Sequence, residues 1–181
     1  MNFLELVKTR QSVRKYAPRA VEPEKIDQCI EAARLAPSAC NSQPWMFIVL
    51  NDEELKNKVA RETYNAVVQF NKFVPEAPVV VVLVMERPTL VSQIGGRIKD
   101  KDFYLMDVGI AAEHFCLQAA ELGLGTCMLG WFNEKKIAAL LNIPKKKRIG
   151  LIITLGYPQD DAIREKKRKT TEDVLKINTY D

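Results

Sequence analysis

The segment from Phe103 to Leu122 constrains the fold of this chain more than any other part of the sequence. Its apolar residues recur at helical spacing and form one face, made of Val108, Ala111, Ala112, Phe115, Ala119 and Leu122. Ile110, Cys116 and Leu117 extend the apolar surface around the helix, and a helix that is apolar on nearly all sides must be buried. A chain of 181 residues has little interior in which to cover such a helix. We therefore expect a second subunit to cover part of it; the alternative is the central helix of a monomer.

The other apolar patterns predict strands and helices within a single domain, residues 1–181. Strands are predicted at 46–50, 79–85, 126–131 and 149–155, and the second of these is suited to a central position because it is an almost unbroken β-branched run. Helices are predicted after the capping residues Asn2, Asp52 and Asn133, and from Glu22-Pro23. The long helix and the polar tail do not continue a simple βαβ series. We therefore predict an α+β sandwich.

Two segments give weaker patterns. Residues 87–102 are polar, contain Gly95-Gly96 and show no clear period, so we interpret them as a lid or loop. Residues 159–181 form a polar, basic C-terminal extension, and its last part, 173–180, is interpreted as a short strand or an extended arm.

Charge and cysteine content narrow the class of protein. The 27 basic and 23 acidic residues give a net charge of +4, which is too small to indicate nucleic acid but suits a small anionic ligand. The four cysteines form no C-x-x-C pair and His114 is the only histidine, so a structural metal site is not expected and a reducing cytosol is favoured. No signal peptide and no apolar stretch of about 20 residues is present, so we expect a cytoplasmic protein that does not bind membranes.

Two basic segments are candidates for anion binding. In Arg10-x-Ser12-x-Arg14, alternating residues of an extended chain project to one side, so two guanidinium groups and a hydroxyl could converge on one anion. An isolated motif of this kind is more often a solvated basic loop. The run Lys166-Lys167-Arg168-Lys169 is, taken alone, typical of a solvated surface.

Two further segments combine polar residues with special backbone geometry. Residues 37–45 (P-S-A-C-N-S-Q-P-W) lead from a helix into a strand between bracketing prolines, and they form either a binding loop or a turn that satisfies its own backbone groups. Residues 123–131 (G-L-G-T-C-M-L-G-W) follow a helix and precede a strand, the reverse of a dinucleotide-binding fingerprint. Gly123 fits a helix C-terminus, Gly130 permits close approach of a flat ligand, and Cys127 is interpreted as packing because it has no histidine nearby.

Taken together and in order, these motifs resemble the nitroreductase-like flavoprotein family. The resemblance rests on R-x-S-x-R, P-S-A-x-N-x-Q-P-W, the D-x-G-x-A helix from Asp107, L-G-L-G-T-C-x-L-G-W, Gly156-Tyr157-Pro158 and the basic tail. It covers essentially the whole chain. It implies an α/β/α sandwich with a central, mainly antiparallel sheet, in a domain-exchanged homodimer with two FMN molecules at the subunit interface.

The resemblance also implies a set of cofactor-binding residues: Arg10, Ser12, Arg14, Pro37, Ser38, Ala39, Asn41, Gln43, Asn71, Cys127, Leu129, Gly130, Lys166 and Arg168. The phosphate would be held by the four residues near the two ends of the chain, which are Arg10, Ser12, Lys166 and Arg168. Arg14 and Asn71 match positions at the pyrimidine ring, Cys127 one on the ring face, and Leu129 and Gly130 backbone positions near N5. Ser38 would lie across the interface, on the flavin of the other subunit. No catalytic side chain and no metal is implied.

The implied activity is the ping-pong transfer of electrons from NADH or NADPH to a small acceptor such as a nitroaromatic or a quinone. Because the flavin carries out the redox step, the protein needs only to bind, orient and tune it. A low-turnover flavin carrier or sensor is the alternative, and a basic interaction domain without flavin is a third possibility. His114, where the family often has an amide or an acid, is interpreted as an interface or core residue.

Overall fold

The computed structural model describes residues 2–180, without the side chain of Arg97, as seven helices and one four-stranded sheet. The helices are α1 (Phe3–Thr9), α2 (Pro23–Arg34), α3 (Glu53–Arg61), α4 (Leu90–Lys99), α5 (Phe103–Glu121), α6 (Glu134–Leu140) and α7 (Thr171–Val174). The strands are β1 (Trp45–Leu50), β2 (Val79–Met85), β3 (Gly125–Leu129) and β4 (Arg148–Gly156). Short 3-10 turns lie at Ala39–Asn41 and Val74–Glu76.

The sheet is antiparallel throughout, with the strand order β1-β2-β4-β3. Phe47 of β1 lies opposite Leu83 of β2, and Cys127 of β3 lies opposite Thr154 of β4. The two edges of the sheet are therefore β1 and β3. This arrangement confirms the predicted α+β fold with its antiparallel sheet.

β2 separates two hydrophobic cores because its side chains alternate between the faces of the sheet. Val79, Val81 and Leu83 belong to the core that contains residues of α2 and α5. Val80, Val82 and Val84 belong to the other core, which contains residues of α3 and α6. All six are almost completely buried, as expected for a central strand covered on both faces. The result is a sheet between two layers of helices.

α5 is the main support of the first core. Val108, Ala111, Ala112, Phe115 and Ala119 are buried on the predicted face, and Phe115 stacks on Phe47 of β1 with ring centroids 6.2 Å apart. The predicted all-round apolar surface is only partly covered within one chain, because Leu105, Met106 and Ile110 are 49%, 55% and 38% exposed. None of the helices formed by residues 2–180 has the length and apolar character needed to cross a membrane.

Capping residues define several helix ends as predicted. The side chains of Asn2, Asp52 and Asn133 accept hydrogen bonds from the first turns of α1, α3 and α6. Gly123 follows α5 with a left-handed φ of 75°, the conformation that favours glycine at a helix C-terminus.

The structure corrects two predictions. Residues 87–102 are not a loop throughout, because α4 occupies Leu90–Lys99. Its apolar residues at 90, 91, 94 and 98 have helical spacing, which the Gly95-Gly96 pair concealed. Within residues 173–180 there is no strand, because the short helix α7 begins at a capping box formed by Thr170 and Asp173 and reaches Val174. The alternative of an extended arm is not contradicted for the residues after α7.

Candidate functional site

The Arg10-x-Ser12-x-Arg14 segment runs beside β3, at the edge of the sheet. Ser12 forms a parallel bridge with Thr126, and the Val13 N–H donates a hydrogen bond of 2.8 Å to the Thr126 carbonyl. Val13 is buried directly against Gly125, where an added Cβ would lie 2.5 Å from Val13 Cγ2. The missing side chain of Gly125 therefore allows the basic segment to approach the sheet closely.

Tyr16 fixes the end of this segment. Its hydroxyl donates to the Val13 carbonyl at 3.0 Å and lies 2.6 Å from Thr154 Oγ1 in the buried interior. Burial raises the pKa of Tyr16 well above its ordinary value, so the phenol stays neutral. Tyr16 also pairs with Pro158, which brings the start of the C-terminal extension to the same place.

The C-terminal extension returns along the basic segment. Gln11 donates from Nε2 to the Ala162 carbonyl at 2.8 Å, and its Oε1 accepts from the Arg164 backbone N–H at 3.1 Å. The Arg164 guanidinium donates to the Ser12 carbonyl, and Lys166 Nζ donates to the Val7 carbonyl at 2.5 Å. These contacts hold residues about 150 positions apart in sequence side by side.

The two ends of the chain enclose an open cleft of about 330 Å³, which we call the cationic cleft. Its lining residues are Arg10, Gln11, Ser12, Arg14, Arg164, Glu165, Lys166, Lys167 and Arg168. Six of them are basic and one is acidic. The structure thus brings together the five predicted residues Arg10, Ser12, Arg14, Lys166 and Arg168.

The charges in the cationic cleft are only partly compensated. Arg10 Nε lies 3.2 Å from Glu113 Oε1 of α5. Partial burial, together with the nearby cations Arg10 and Arg168, lowers the pKa of Lys166. A cation whose pKa is lowered by like charges gains from binding an anion, and Arg and Lys donors beside a hydroxyl are the groups that bind phosphate. The residues present therefore fit a phosphate group.

At the far end of β3, Asn71 holds the chain that leaves the strand. Its side chain is buried, and Nδ2 donates to the Thr63 and Trp131 carbonyls, both at 3.1 Å. Gly130 is exposed, and an added Cβ there would have no atom within 4 Å. β3 ends at Leu129, two residues earlier than predicted, so the backbone at Gly130 is open to a ligand.

Cys127 and Leu129 point into the second core, where both are buried. Burial raises the pKa of the Cys127 thiol, which favours the neutral form and supports a packing role over a nucleophilic one. Contact of Cys127 with a flavin ring stays a prediction.

The 37–45 segment does not line the cationic cleft. Ser38 Oγ accepts from the Gln43 backbone N–H at 2.9 Å, and Gln43 Nε2 donates to Asn41 Oδ1 at 3.0 Å. Ala39 contacts α5 through Asp107. None of the predicted residues Pro37, Ser38, Ala39, Asn41 and Gln43 is among those that line the cationic cleft. The position of Ser38 on the flavin of the other subunit stays a prediction, and so does cofactor binding by the other four residues.

Sequence reasoning missed three residues around the cationic cleft: Gln11, Arg164 and Glu113. It named Asp107 only as part of a motif and missed its contact with Ala39. Arg164 carried a usable signal, because residues 164, 166 and 168 are all basic and alternate as Arg10, Ser12 and Arg14 do. The pairing of Glu113 with Arg10 had no signal, since it depends on how α5 packs beside the basic segment.

The fold and the cationic cleft define a class: an α+β sandwich with a cationic cleft at the edge of its antiparallel sheet. Residues 7–157 match the family model described as Nitroreductase family. The chain therefore belongs to the nitroreductase family and is an oxidoreductase, as its motifs predicted.

Individual relatives agree with this assignment. A protein of Archaeoglobus fulgidus, named as a candidate NADH dehydrogenase/NAD(P)H nitroreductase, is 33% identical over 162 residues, covering 87% of this chain and 86% of the relative. The crystal structure of a nitroreductase family protein from Clostridium novyi NT is 32% identical, with a TM-score of 0.76, and covers 91% of this chain and 89% of that one. An FMN-dependent nitroreductase from Clostridium difficile R20291 is 29% identical, with a TM-score of 0.76, covering 98% and 100%.

Proposed function

We propose that this chain is an FMN-dependent oxidoreductase that passes electrons from NADH or NADPH to a small acceptor, a nitroaromatic or a quinone, and acts as a homodimer. The observation that carries the proposal is the cationic cleft, which joins both ends of the chain at the edge of the sheet. The relative from Clostridium difficile, named as FMN-dependent, supports the choice of cofactor.

Four residues of the cationic cleft would bind the FMN phosphate: Arg10, Ser12, Lys166 and Arg168. A phosphate dianion binds best to several charge-assisted donors, and the cations here face one another without enough carboxylates to neutralise them. Arg164 donates from two guanidinium nitrogens, to Gln11 Oε1 and to the Ser12 carbonyl, so we assign it to holding the tail in place. Among the described residues, Lys166 donates only to the Val7 carbonyl and keeps two N–H groups for an anion.

The remaining predicted residues would orient the flavin ring along β3. Arg14, on the same side of the extended segment as Arg10 and Ser12, would place a cation near the pyrimidine edge, and Asn71 would hold the chain after β3 there. The backbone at Leu129 and Gly130 would approach the ring, since nothing within 4 Å occupies the space above Gly130. Bound FMN would supply the redox chemistry, accepting electrons from the nicotinamide and passing them to the acceptor in ping-pong fashion.

The homodimer is supported by apolar surface that one chain leaves uncovered. Leu105, Met106 and Ile110 of α5 are exposed, and so are Phe3 and Leu4 of α1, at 71% and 62%. The same holds for Val174, Leu175, Ile177 and Tyr180 of the extension. Contiguous apolar surface of this kind marks an interface, and we infer that these side chains form one between two copies of the chain. A second copy in a domain-exchanged arrangement would cover them and bring the Ser38–Gln43 segment to the partner's flavin.

The visible absorption spectrum of the purified protein tests the central proposal, before and after anaerobic addition of NADH and then NADPH. We expect a bound-flavin spectrum that bleaches with at least one nucleotide, followed by recovery of the colour on addition of a quinone or nitroaromatic. A colourless protein that takes up no added FMN would overturn the proposal and favour a basic interaction domain, which binds an acidic partner in a salt-sensitive way.

The carrier or sensor alternative has the same binding site but a different spectrum. A flavin band that neither nucleotide bleaches, or that bleaches without turnover by acceptors, would favour it over the enzyme. The cytoplasmic location stays a prediction.

A further inference from the structure

The segment Ser38–Gln43 has an unusual backbone. Cys40, Asn41 and Gln43 have left-handed φ values of 52°, 49° and 45°, although none of them is glycine. Left-handed conformations of ordinary residues persist only where surrounding contacts impose them, and they concentrate at functional sites. Specific contacts must therefore hold this segment in its shape.

One of these contacts comes from the long helix α5. Asp107 Oδ1 accepts a hydrogen bond of 3.0 Å from the Ala39 backbone N–H, at the start of the 3-10 turn. Asp107 is 5% exposed, and its second oxygen, Oδ2, has no hydrogen-bond partner among the described side chains and backbone. Burying a carboxylate is unfavourable unless hydrogen bonds compensate for the loss of hydration. The hydrogen bond from the Ala39 N–H provides this compensation at Asp107.

A second contact from α5 fixes the chain just before this segment. His114 lies seven residues after Asp107, which is about two helical turns, so both side chains project from similar faces of α5. Its Nδ1 lies 3.2 Å from the Ala32 carbonyl in the last turn of α2. Together the two residues secure the chain on either side of the point where α2 ends and residues 35–38 lead into the strained turn.

We propose that Asp107 is a positioning residue that holds the Ser38–Gln43 segment in the strained shape with which it meets the flavin of the partner subunit. His114 supports it by fixing the end of α2. The inference rests on the proposed function for its flavin part, whereas the anchoring of the segment by Asp107 can be tested without any flavin.

Hydrogen exchange in the FMN-free protein tests the anchoring. The amides of Ala39, Asn41, Ser42 and Gln43 all donate to acceptors within the chain, so their protection reports on the order of the segment. Asp107→Leu has a side chain of similar shape, suits a buried position and removes the hydrogen-bond acceptor. If the leucine variant does not fold, Asp107→Ala removes the same acceptor with a smaller side chain. We expect protection of these amides to fall at least tenfold in either variant and to stay normal in Asp107→Asn, which keeps an acceptor oxygen.

Phe115→Leu is the matched control. It alters a buried side chain on the same helix, which packs on Phe47 and takes no part in the hydrogen bond between Asp107 and Ala39, so it lowers stability without removing the anchor. We expect it to leave the segment's protection unchanged relative to the rest of α5. Equal loss of protection in Phe115→Leu and Asp107→Leu would overturn the inference, because the effect would then be general loosening of the helix.

FMN affinity, measured by quenching of flavin fluorescence, tests the link to the cofactor. We expect Asp107→Leu to weaken FMN binding about 10-fold or more, the loss associated with a hydrogen bond to a charged group, and Asp107→Asn to restore it. If Asp107→Leu loses protection in the Ser38–Gln43 segment but binds FMN with unchanged affinity, the proposed contact between this segment and the flavin is overturned. Failure of the wild-type protein to bind FMN would overturn the proposed function, while the exchange measurement would still decide whether Asp107 anchors the segment.

Discussion

Arg10 of the basic segment and Glu113 of α5 form an ion pair across the wall of the cationic cleft, with Arg10 Nε 3.2 Å from Glu113 Oε1. The two side chains are 26% and 37% exposed. The alignment is poor, because Arg10 Nε is buried and makes no hydrogen bond by geometry. The pair therefore holds Arg10 loosely, and the rest of its guanidinium remains free to bind an anion.

Replacement of Arg10 by alanine should weaken FMN binding without unfolding the dimer. The proposed partner of Arg10 is the phosphate, and a hydrogen bond between charged groups contributes about 1.5–3 kcal/mol, or roughly 10- to 100-fold in affinity. Titration of flavin fluorescence gives the affinity, and thermal unfolding gives the stability. Arg148→Ala, which breaks an ion pair with Glu134 on an exposed surface, is the matched control and should leave affinity unchanged. Full flavin occupancy in Arg10→Ala would remove Arg10 from the phosphate site.

Replacement of Glu113 by glutamine should have the opposite effect. The Glu113 carboxylate competes with the phosphate for Arg10, and it also repels the phosphate. An exposed ion pair contributes up to about 1 kcal/mol, so removal of the carboxylate should tighten FMN binding up to about fivefold. The affinity is measured in the same titration at low ionic strength, and the gain should shrink in high salt. Weaker binding in Glu113→Gln would mean that the pair orients Arg10 for the phosphate instead of competing with it.

FMN affinity should fall as the pH rises into the alkaline range. In the free protein, partial burial and the cations Arg10 and Arg168 lower the pKa of Lys166. Bound phosphate favours the charged amine and raises that pKa, so binding takes up a proton once Lys166 begins to lose it. Affinity is thus highest below the pKa of Lys166 in the free protein and declines above it. Lys166→Arg, which stays charged, should flatten the decline; an identical profile in this variant would exclude Lys166 as its source.

The variants Gly130→Ala and Gly125→Ala should differ in what they affect, the first lowering FMN affinity and the second lowering the stability of the fold. Gly130→Ala should leave the FMN-free protein as stable as the wild type, because the new methyl group meets no atom within 4 Å, but it should weaken FMN binding if the ring approaches there. Gly125→Ala should destabilise the protein itself, because its Cβ would lie 2.5 Å from Val13. Thermal unfolding and flavin titration of both variants are the measurements. Wild-type affinity in Gly130→Ala would move the flavin away from this backbone.

An aspartate at Ile110 should separate the subunits. Ile110 is 38% exposed on α5 within one chain, and a charge there would be buried in the proposed interface. Light scattering after gel filtration should show a folded monomer that no longer retains flavin. Ala139→Asp, which adds the same charge to an exposed position on α6, should remain dimeric. A monomeric wild-type protein would contradict the dimer outright.

The fold was predictable where one pattern dominated locally. The β-branched run of β2 and the continuous apolar pattern of α5 specify their own structures, and Asn2, Asp52 and Asn133 mark helix starts by the chemistry of their side chains. α4 was missed because Gly95-Gly96 outweighed four apolar residues at helical spacing. The short helix α7 was missed because its capping box at Thr170 needs only local residues and no apolar period.

The candidate site was predictable only in part, because its residues come from distant parts of the sequence. Arg10, Ser12 and Arg14 carry a pattern, but their meeting with Lys166 and Arg168 depends on contacts across about 150 residues that no local pattern encodes. For that reason the resemblance to a family, and not the spacing of charges, supplied the pairing of the two ends. Asp107 was recognised only as part of the D-x-G-x-A motif, and its contact with Ala39 was missed because an aspartate in an apolar helix gives no sign of its partner.

The contact between Gln11 and Arg164 also sets the time at which this site can exist during synthesis. The residues are separated by 153 positions, and a ribosome adds roughly 5–20 residues per second, so Arg164 is made roughly eight to thirty seconds after Gln11. Until residues 162–168 leave the ribosome, the nascent chain lacks one wall of its cationic cleft. A phosphate-bearing ligand held by that cleft could therefore join only a chain whose sheet and first six helices are already translated, which would make loading a late event in the synthesis of each molecule.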